Sequence, residues 1–545
     1  MPQPPHPSVR PATGPAPATD HLRRRLLGLT AAATALAFTA RVPQAAARPL
    51  RSAELAENPF TLGVASGDPL PDAVVLWTRL APRPFEPGNG LPARGVVDVQ
   101  WEISRDEDFR RTDRRGTTRA DAEYNYSVHV DVQGLEPDRV YWYRFRTGRW
   151  ISPTGRTRTT PPAGAAVRTM RLGLASCQQY DEGYYTALAH LAREDLDAVF
   201  FVGDYIYENA INAQAGVRRY TGGRRLPDVF RHETMTLTDY RLRYALGKSD
   251  PDLQAAHAAH PWYVTWDDHE VENNYAGEYA QAGDPVDAFL RRRAAAYRAY
   301  WENMPLRRSQ RPSGPDMRLY RRFEYGNLAQ FDILDTRQYR DDQAYGDGWK
   351  YPGRESDDPD RSITGDEQEE WLIDGLQTST ARWNVVPQQL AFCQRKSTTG
   401  SHAKVSMDAW DGYPASRDRV LSGARDAGVT NLVVLSGDAH VNYAMDIKED
   451  FDDPDSPTVG VEIVGTSLSS GSDGTARPGD TNAVHAANPH LKHYSARRGY
   501  VVVTLTHSHL RADFRALPYV TRPGAPVSTL TSLVSEAGEP GFERA

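Results

Sequence analysis

Three short stretches of this chain each read as an apolar strand that runs directly into acidic residues. They are residues 200–204 (FFVGD), 263–270 (YVTWDDHE) and 433–440 (VVLSGDAH). Unbroken apolar runs of this length are typical of strands that are buried on both faces. Three strands that each deliver a carboxylate at the carboxyl end provide what a centre of several metal ions requires. The pattern therefore predicts an α/β core, with mixed sheets flanked by helices, that carries a multi-metal centre.

The first acidic strand belongs to a predicted βαβ unit. Residues 170–175, 183–195 and 198–202 read in turn as strand, helix and strand. Such a unit pairs its strands in parallel, so their carboxyl ends lie at the same edge of the sheet. We therefore expect Cys177 and Asp204 at one edge, where α/β proteins bind their ligands. Further helices are expected at residues 284–303, 364–376 and 416–428, the second with a capping box from Thr364 to Glu367.

Each candidate at this edge has a purely structural alternative. An aspartate after a strand is often a helix N-cap, a tyrosine usually packs, and a free cysteine is often simply buried. Because they occur together, we interpret Asp204 as a carboxylate shared between two cations and Cys177 as a thiolate ligand. Tyr207 is predicted to place a phenolate near a ferric ion. The other cysteine, Cys393, is expected to be structural, and the two cysteines are either buried thiols or one disulfide.

The other two acidic stretches add an imidazole each. Asp267, Asp268, His269 and Glu270 follow the apolar strand without any turn residues, so a solvated loop is the less favoured interpretation. Asp268 is expected to bind a metal ion. A centre of several metal ions suggests hydrolysis of phosphate esters, and His269 lies where it would meet the phosphoryl group. Asp438 and His440 are two residues apart, and in an extended chain such residues share a face. Imidazole suits iron or zinc, whereas carboxylate suits calcium, magnesium or manganese.

The chain divides into four segments by composition and period. Residues 58–160 alternate apolar and polar positions, which predicts a fibronectin-like β-sandwich; Leu135, Pro137 and Tyr141 have the spacing of a tyrosine corner. After the linker around residues 159–164, residues 168–515 form the predicted catalytic domain. Residues 516–545 are rich in proline and receive no assignment.

Residues 1–47 read as an export signal. Arg23, Arg24 and Arg25 precede an apolar run from Leu26 to Ala40 that is too short to span a bilayer, and Ala45–Ala47 offers a cleavage site. The arginines predict export by the twin-arginine translocation machinery; an ordinary secretory signal is the alternative. No other segment is apolar enough to cross a membrane, so a secreted, soluble protein is expected. The net charge of −7 and pI near 6.1 give no nucleic-acid-binding footprint.

The motifs together resemble a known family. Residues 58–68, 175–178, 203–208, 265–270 and 334–340 are similar, in this order, to motifs of the PhoD-type alkaline phosphatases, a branch of the calcineurin-like metallophosphoesterases. Residues 267–270 stand where the wider superfamily has Gly-Asn-His-Asp/Glu. The resemblance implies Fe³⁺ and one or two Ca²⁺ ions, with Zn²⁺ and Mn²⁺ as alternatives. It places Cys177, Asp204, Tyr207 and His440 on iron, and Asp204, Asp268 and Asp438 on calcium.

The expected function is that of a secreted, metal-dependent alkaline phosphomonoesterase. Bound cations make hydroxide available for attack on the phosphate ester near neutral pH. His269 is the candidate catalytic residue; its role as general acid, as donor to the phosphate or as support for a ligand stays open. The first alternative is a phosphodiesterase of the phospholipase D type that acts on lipid headgroups, which the same family contains. The second is a binding protein without activity, which the intact acidic motifs disfavour.

Overall fold

A computed structural model of the chain describes residues 49–50, 55–211, 216–218, 220–221, 223–400 and 402–545. The expected export signal at residues 1–47 lies outside the described residues. Across the part of the chain that is described, no helix has both the length and the apolar character needed to cross a membrane.

The N-terminal part is built from two packed sheets. Its strands are β1 (Pro49–Leu50), β2 (Val64–Gly67), β3 (Ala73–Arg79), β4 (Val96–Ser104), β5 (Arg114–Asp121), β6 (Ser127–Gln133), β7 (Val140–Thr147), β8 (Trp150–Ile151) and β9 (Gly155–Arg158). Strands β1, β4, β5, β7, β8 and β9 form one sheet, and β2, β3 and β6 belong to the other. The alternating residues Val97, Val99 and Phe145 pack between them. The predicted tyrosine corner is confirmed, because the Glu136 N–H donates to Tyr141 Oη at 2.9 Å.

The described residues after β9 form eighteen further strands and seven α-helices. The strands are β10 (Thr169–Ala175), β11 (Ala198–Val202), β12 (Tyr220–Thr221), β13 (Arg224–Arg225), β14 (Pro261–Thr265), β15 (Arg321–Tyr325), β16 (Ala329–Ile333), β17 (Trp349–Lys350), β18 (Trp383–Pro387), β19 (Val405–Ser406), β20 (Leu432–Ser436), β21 (Asn442–Lys448), β22 (Thr458–Val464), β23 (Leu491–Ser495), β24 (Gly499–Thr506), β25 (His509–Ala516), β26 (Ser528–Glu536) and β27 (Glu539–Arg544). The helices are α1 (Thr186–Leu191), α2 (Leu237–Lys248), α3 (Pro251–Ala259), α4 (Val286–Asn303), α5 (Asp366–Thr378), α6 (Pro414–Asp426) and α7 (Thr481–Ala487).

Two large sheets lie face to face. One has the strand order β27-β26-β25-β24-β10-β11-β14-β2-β3-β6, and the other β15-β16-β18-β20-β22-β21-β23. Phe200 and Val202 of β11 and Val433 and Leu435 of β20 pack in the core between them. Helices α1–α4 cover the outer face of the first sheet, and α5 and α6 cover that of the second. This confirms the mixed α/β class and explains the unbroken apolar runs, since both faces of these strands are buried.

The N-terminal strands are continuous with the sheet that carries the acidic motifs. Strand β2 pairs in parallel with β14, with Ser66 opposite Pro261 and Gly67 opposite Trp262. The pairing is so close that a Cβ on Gly67 would lie 2.6 Å from the carbonyl oxygen of Trp262. Residues 49–545 accordingly form one compact unit.

Several details differ from the sequence-based expectations. The predicted capping box at Thr364 is wrong: α5 is preceded by Gly365, with φ at 69° and no side-chain cap. Helix α1 is shorter than predicted. Residues 516–545, which received no assignment, include β26 and β27, and these extend the first sheet beyond β25. Seven of the nine residues of β26 are exposed or half-buried, so the strand lacks the apolar signal that sequence analysis depends on.

Replacing Gly67 by alanine tests the shared sheet. We expect Gly67→Ala to lower the free energy of unfolding by about 1–3 kcal/mol, because the added methyl group overpacks the β2–β14 pair. Denaturation followed by intrinsic fluorescence measures the loss. Gly479→Ala is the matched control, since a Cβ there meets no atom within 4 Å. Equal effects of the two changes would contradict the packing argument.

Candidate metal centre

The candidate ligands lie just beyond the ends of neighbouring strands. Cys177, Asp204, Asp267 and Asp438 each stand two residues after the last residue of β10, β11, β14 and β20. Strands β10, β11 and β14 are parallel neighbours in the first sheet, whereas β20 belongs to the second. The four side chains therefore meet at the edge where the carboxyl ends of both sheets come together.

The backbone of this edge is strained. Cys177, Asp204, Asp438 and His440 have φ values of 58°, 59°, 56° and 55°. Residues with a Cβ seldom adopt this left-handed conformation, and they keep it where the surrounding structure imposes it. The assumption of an extended chain between Asp438 and His440 is therefore wrong; tight turns, and not strand alternation, bring the two side chains into the site.

Two glycines allow the loops to approach one another. A Cβ on Gly203, whose φ is 108°, would lie 2.3 Å from Cβ of Asp267. A Cβ on Gly437 would lie 2.8 Å from Oγ of Ser176. Any side chain at these positions would push the neighbouring loops apart. In each Gly-Asp motif the glycine therefore lets two loops approach closely, and the aspartate that follows lies at the point of approach.

Three overlapping groups of ligand atoms result, and within each group the atoms lie within 4.8 Å of one another. The groups are Cys177, Asp204 and His440; Asp204, Asp268 and His269; and Asp267, Asp268 and Asp438. Asp204 is common to the first two groups and Asp268 to the last two. Asp267, which the sequence analysis did not assign as a ligand, lies in the third group together with Asp268.

Tyr207 lies between two members of the first group, Asp204 and His440. Its Oη donates to Asp204 Oδ2 at 2.7 Å and lies 3.0 Å from His440 Nε2. Ser470 Oγ donates to the same phenol oxygen at 2.8 Å. Burial and the adjacent Asp204 carboxylate raise the pKa of Tyr207 well above its ordinary value. Burial likewise raises the pKa of the Cys177 thiol. Cys393 is a separate buried thiol, so the disulfide alternative is wrong.

The carboxylates are not satisfied by the protein alone. Asp204 Oδ1, Asp267 Oδ2 and Asp268 Oδ1 are buried without a hydrogen-bond partner in the described chain. Burial raises the pKa of Asp267 and Asp268, and it raises that of Asp438 to about 7; neighbouring carboxylates add to each increase. Buried acceptor oxygens that lack donors are what a bound cation satisfies. The donor set therefore fits metal ions.

Arg337 provides positive charge inside the cluster. Its Nε donates to Asp267 Oδ1 at 2.5 Å, and its Nη2 lies 3.4 Å from Asp268 Oδ1 and 3.5 Å from Asp438 Oδ1. Asp408 accepts from Nη1 at 3.0 Å and so orients the guanidinium. Sequence reasoning included Arg337 in a matching motif but assigned it no role. Arg337 lies two residues after Asp335, which itself follows β16, and this position near a strand end is the sequence feature that could have identified it as a site residue.

Glu270 connects two of the ligand-bearing loops and was also missed. Its carboxylate accepts the backbone N–H groups of Asp204, Tyr205 and Asp267 at 3.0, 2.5 and 2.7 Å. Burial, with the nearby Asp204, raises the pKa of Glu270 to about 8. No sequence pattern identifies a carboxylate whose partners are main-chain amides of a distant loop.

His269 is fixed by a buried carboxylate. Its Nδ1 lies 2.7 Å from Glu208 Oε2, which leaves Nε2 for the cluster. Glu208 is held in turn by the Asn273 N–H at 3.0 Å. Burial alone would lower the pKa of His269, but the carboxylates of Asp268, Asp204 and Glu208 raise it well above its ordinary value. The same imidazole and that of His440 outweigh burial at Asp204 and lower its pKa to about 2.

The cluster is accessible on one side. The side chains of His440, Asp438 and His269 are 34%, 33% and 13% exposed, whereas those of Asp204 and Asp268 are almost fully buried. A ligand therefore reaches the centre across His440 and Asp438.

Fold and site together define an α/β protein that carries a candidate metal centre at the shared edge of two packed sheets. A model of the PhoD-like phosphatase family matches residues 172–514, and a model of the N-terminal domain of PhoD-like phosphatases matches residues 44–161. Alkaline phosphatase D from Bacillus subtilis (strain 168) is 51% identical over 486 residues, 89% of this chain and 82% of that protein. The solved structure of PhoD superposes with a TM-score of 0.86 at 50% identity, covering 90% of this chain and 92% of the other. The chain belongs to the PhoD-like phosphatase family, as its motifs indicated.

Glu270→Gln tests the connection between the loops. We expect the free energy of unfolding to fall by about 1–3 kcal/mol, because one carboxylate oxygen that accepts N–H groups becomes an amide donor. Denaturant unfolding measures this change, and Glu370→Gln on the exposed face of α5 is the control. A loss no greater than that of the control would show that the loops hold together without Glu270.

Proposed function

We propose that this chain is an exported, metal-dependent alkaline phosphomonoesterase. The observation that supports this most is the convergence of three ligand groups that share Asp204 and Asp268. The partly exposed His440 and Asp438 leave room for a phosphate at the same centre. Alkaline phosphatase D, 51% identical, carries this activity in its name.

We assign the two ends of the cluster to different ions. Cys177, Asp204, Tyr207 and His440 would hold Fe³⁺, since thiolate, phenolate and imidazole suit a transition metal. Asp204, Asp268 and Asp438, with Asp267, would hold Ca²⁺, which prefers carboxylate oxygens. Zn²⁺ and Mn²⁺ are the alternatives at these positions. Asp204, which belongs to two groups, is the proposed bridge.

Bound at this site, the ions would lower the pKa of water and offset the charge of the phosphate. The residues around them have separate tasks in the proposal. Arg337 restrains Asp267, Asp268 and Asp438 through its fixed guanidinium. His269, oriented through Nδ1 by Glu208, presents Nε2 as the proton donor to the departing alkoxide. The geometry thus favours the general-acid role among those left open by the sequence.

The diesterase of phospholipase D type remains the second possibility for the substrate. Turnover of p-nitrophenyl phosphate, bis-p-nitrophenyl phosphate and phosphatidylcholine by one preparation separates the two. A higher kcat/KM on the monoester supports the proposal, and a higher value on either diester replaces it. Export rests on the arginine-led signal at residues 1–47, and the twin-arginine machinery is the proposed partner.

Substitution at the bridging position tests the metal assignment. Asp204→Ala is expected to lose activity together with iron and calcium, because both ligand groups lose a member. Cys177→Ser should lose iron and keep calcium. Elemental analysis and turnover of p-nitrophenyl phosphate give the two readouts, and Asp446→Asn is the control at a buried aspartate on β21. Retained turnover by Asp204→Ala would refute the bridge.

The role of His269 is tested with leaving groups of different basicity. His269→Ala should lower kcat by about 10²–10⁴-fold for alkyl phosphates, whose alkoxides need a proton. The loss should be much smaller for p-nitrophenyl phosphate, whose phenolate leaves without one. Glu208→Gln should show a weaker form of the same selectivity, since it disturbs only the orientation of the ring. Equal losses on both esters would exclude proton donation.

A further inference from the structure

Three large aromatic side chains are exposed within one short segment next to the metal centre. Tyr345, Trp349 and Tyr351 are 40%, 40% and 56% exposed. We call them the aromatic platform. Exposing a large aromatic side chain to water costs free energy, so three of them in one short segment indicate an interaction site. Nothing in the proposed chemistry at the metal ions uses them.

Hydrogen bonds connect the platform to the candidate ligands. Asp347 lies between Tyr345 and Trp349, and its Oδ2 accepts from Asn274 Nδ2 at 2.5 Å. The backbone N–H of Asn274 donates to Asp268 Oδ2 at 2.7 Å. The platform segment is therefore two hydrogen bonds away from a carboxylate of the centre. A second connection runs from Gly348 O, which accepts the Met407 N–H, to the adjacent Asp408 and so to Arg337.

The platform is held in place before any ligand arrives. Tyr345 has a φ of 58°, which is unusual for a bulky residue. Its N–H donates to Glu355 Oε1 at 2.9 Å, and its Oη accepts the Glu355 N–H at 2.9 Å. The backbone of Trp349 is held because β17 pairs with β19. Rings that are ordered in advance lose little conformational entropy on binding.

The charges around the platform restrict what it binds. Arg395 lies 5.3 Å from the Trp349 ring and Lys404 lies 5.4 Å from the Tyr351 ring. The remainder of the segment is acidic, with exposed Asp341, Asp342, Asp357, Asp358 and Asp360. The acidic residues oppose an anionic membrane surface, and the large hydrophobic side chains that the segment exposes are all aromatic, so it offers no large aliphatic side chain to an acyl chain. A planar ring with polar edges suits both the aromatic faces and the two cations.

We propose that the aromatic platform binds the leaving group of the phosphate ester and that this leaving group is a nucleoside. The proposal rests on the proposed phosphomonoesterase function and names its substrate class, nucleoside monophosphates. The base stacks on the platform while the phosphate occupies the centre across His440 and Asp438. Stacking on aromatic side chains tolerates any base, so the selection is for a ring and not for one nucleotide.

The test compares a ring-bearing substrate with one that has no ring. The kcat/KM for adenosine monophosphate, divided by that for glycerol 3-phosphate, is measured for the metal-loaded protein and for Trp349→Ala, Tyr345→Ala and Trp349→Phe. Each alanine variant should lower the ratio about tenfold, through KM, and Trp349→Phe should restore most of it. Ile151→Ala, which removes an exposed apolar side chain from β8, should leave the ratio unchanged. An unchanged ratio in both alanine variants overturns the proposal.

Binding of the nucleoside alone separates this proposal from the function on which it rests. Adenosine should inhibit glycerol 3-phosphate hydrolysis competitively, and at least fivefold more weakly in Trp349→Ala. If glycerol 3-phosphate is hydrolysed and adenosine does not inhibit the reaction, the proposed role of the aromatic platform is wrong and the proposed phosphatase function stands. If neither ester is hydrolysed, the phosphatase proposal fails, and calorimetric binding of adenosine monophosphate to the original protein and to Trp349→Ala still decides the platform.

Discussion

Repulsion among buried carboxylates is the constraint that governs this molecule. Asp204, Asp267 and Asp268 are buried and Asp438 lies beside them, one third exposed; like charges interact strongly where water is largely excluded. Arg337 offsets part of this charge, but three carboxylate oxygens still lack a hydrogen-bond partner in the described chain. Bound cations or protons neutralise such carboxylates and so stabilise them. Metal ions at this centre would therefore stabilise this edge of the fold as well as supply the proposed chemistry.

The scaffold brings the carboxylates together by making the loops short and the sheets rigid. Each ligand loop begins at the end of a strand that is covered on both faces, so its starting point is fixed. The left-handed residues at Asp204 and Asp438 then turn the chain toward the centre, and packing of the two sheets supplies the free energy that this strain costs. Glu270 joins the loops after β11 and β14 through main-chain amides. Because β2 pairs with β14, the N-terminal strands help to hold the same edge.

Prediction from the sequence succeeded where the signal was local. The apolar runs, the βαβ unit, helix α4 and the tyrosine corner all follow from the period of apolar residues and from short spacings. It failed where the conformation depended on partners far away in the chain. The turns at Asp438 and His440 are not extended, and β26 is recognisable only once β25 lies beside it. Arg337 and Glu270 were overlooked because their importance lies in contacts with residues about 70 positions away.

The sequence alone indicates the candidate ligands and their order: the Gly-Asp motifs, the Asp-Asp-His-Glu run and a cysteine after the first strand of the βαβ unit. Residue type and the positions where strands end can be read from local sequence, without knowing the distances between residues that are far apart in the chain. The tertiary structure was needed to show which of these side chains lie close to one another, that Asp267 lies in the same group as Asp268, and that Tyr345, Trp349 and Tyr351 are exposed. The physical reason is that ångström-scale distances between distant residues are set by the packing of two sheets against each other, and no local pattern encodes that packing.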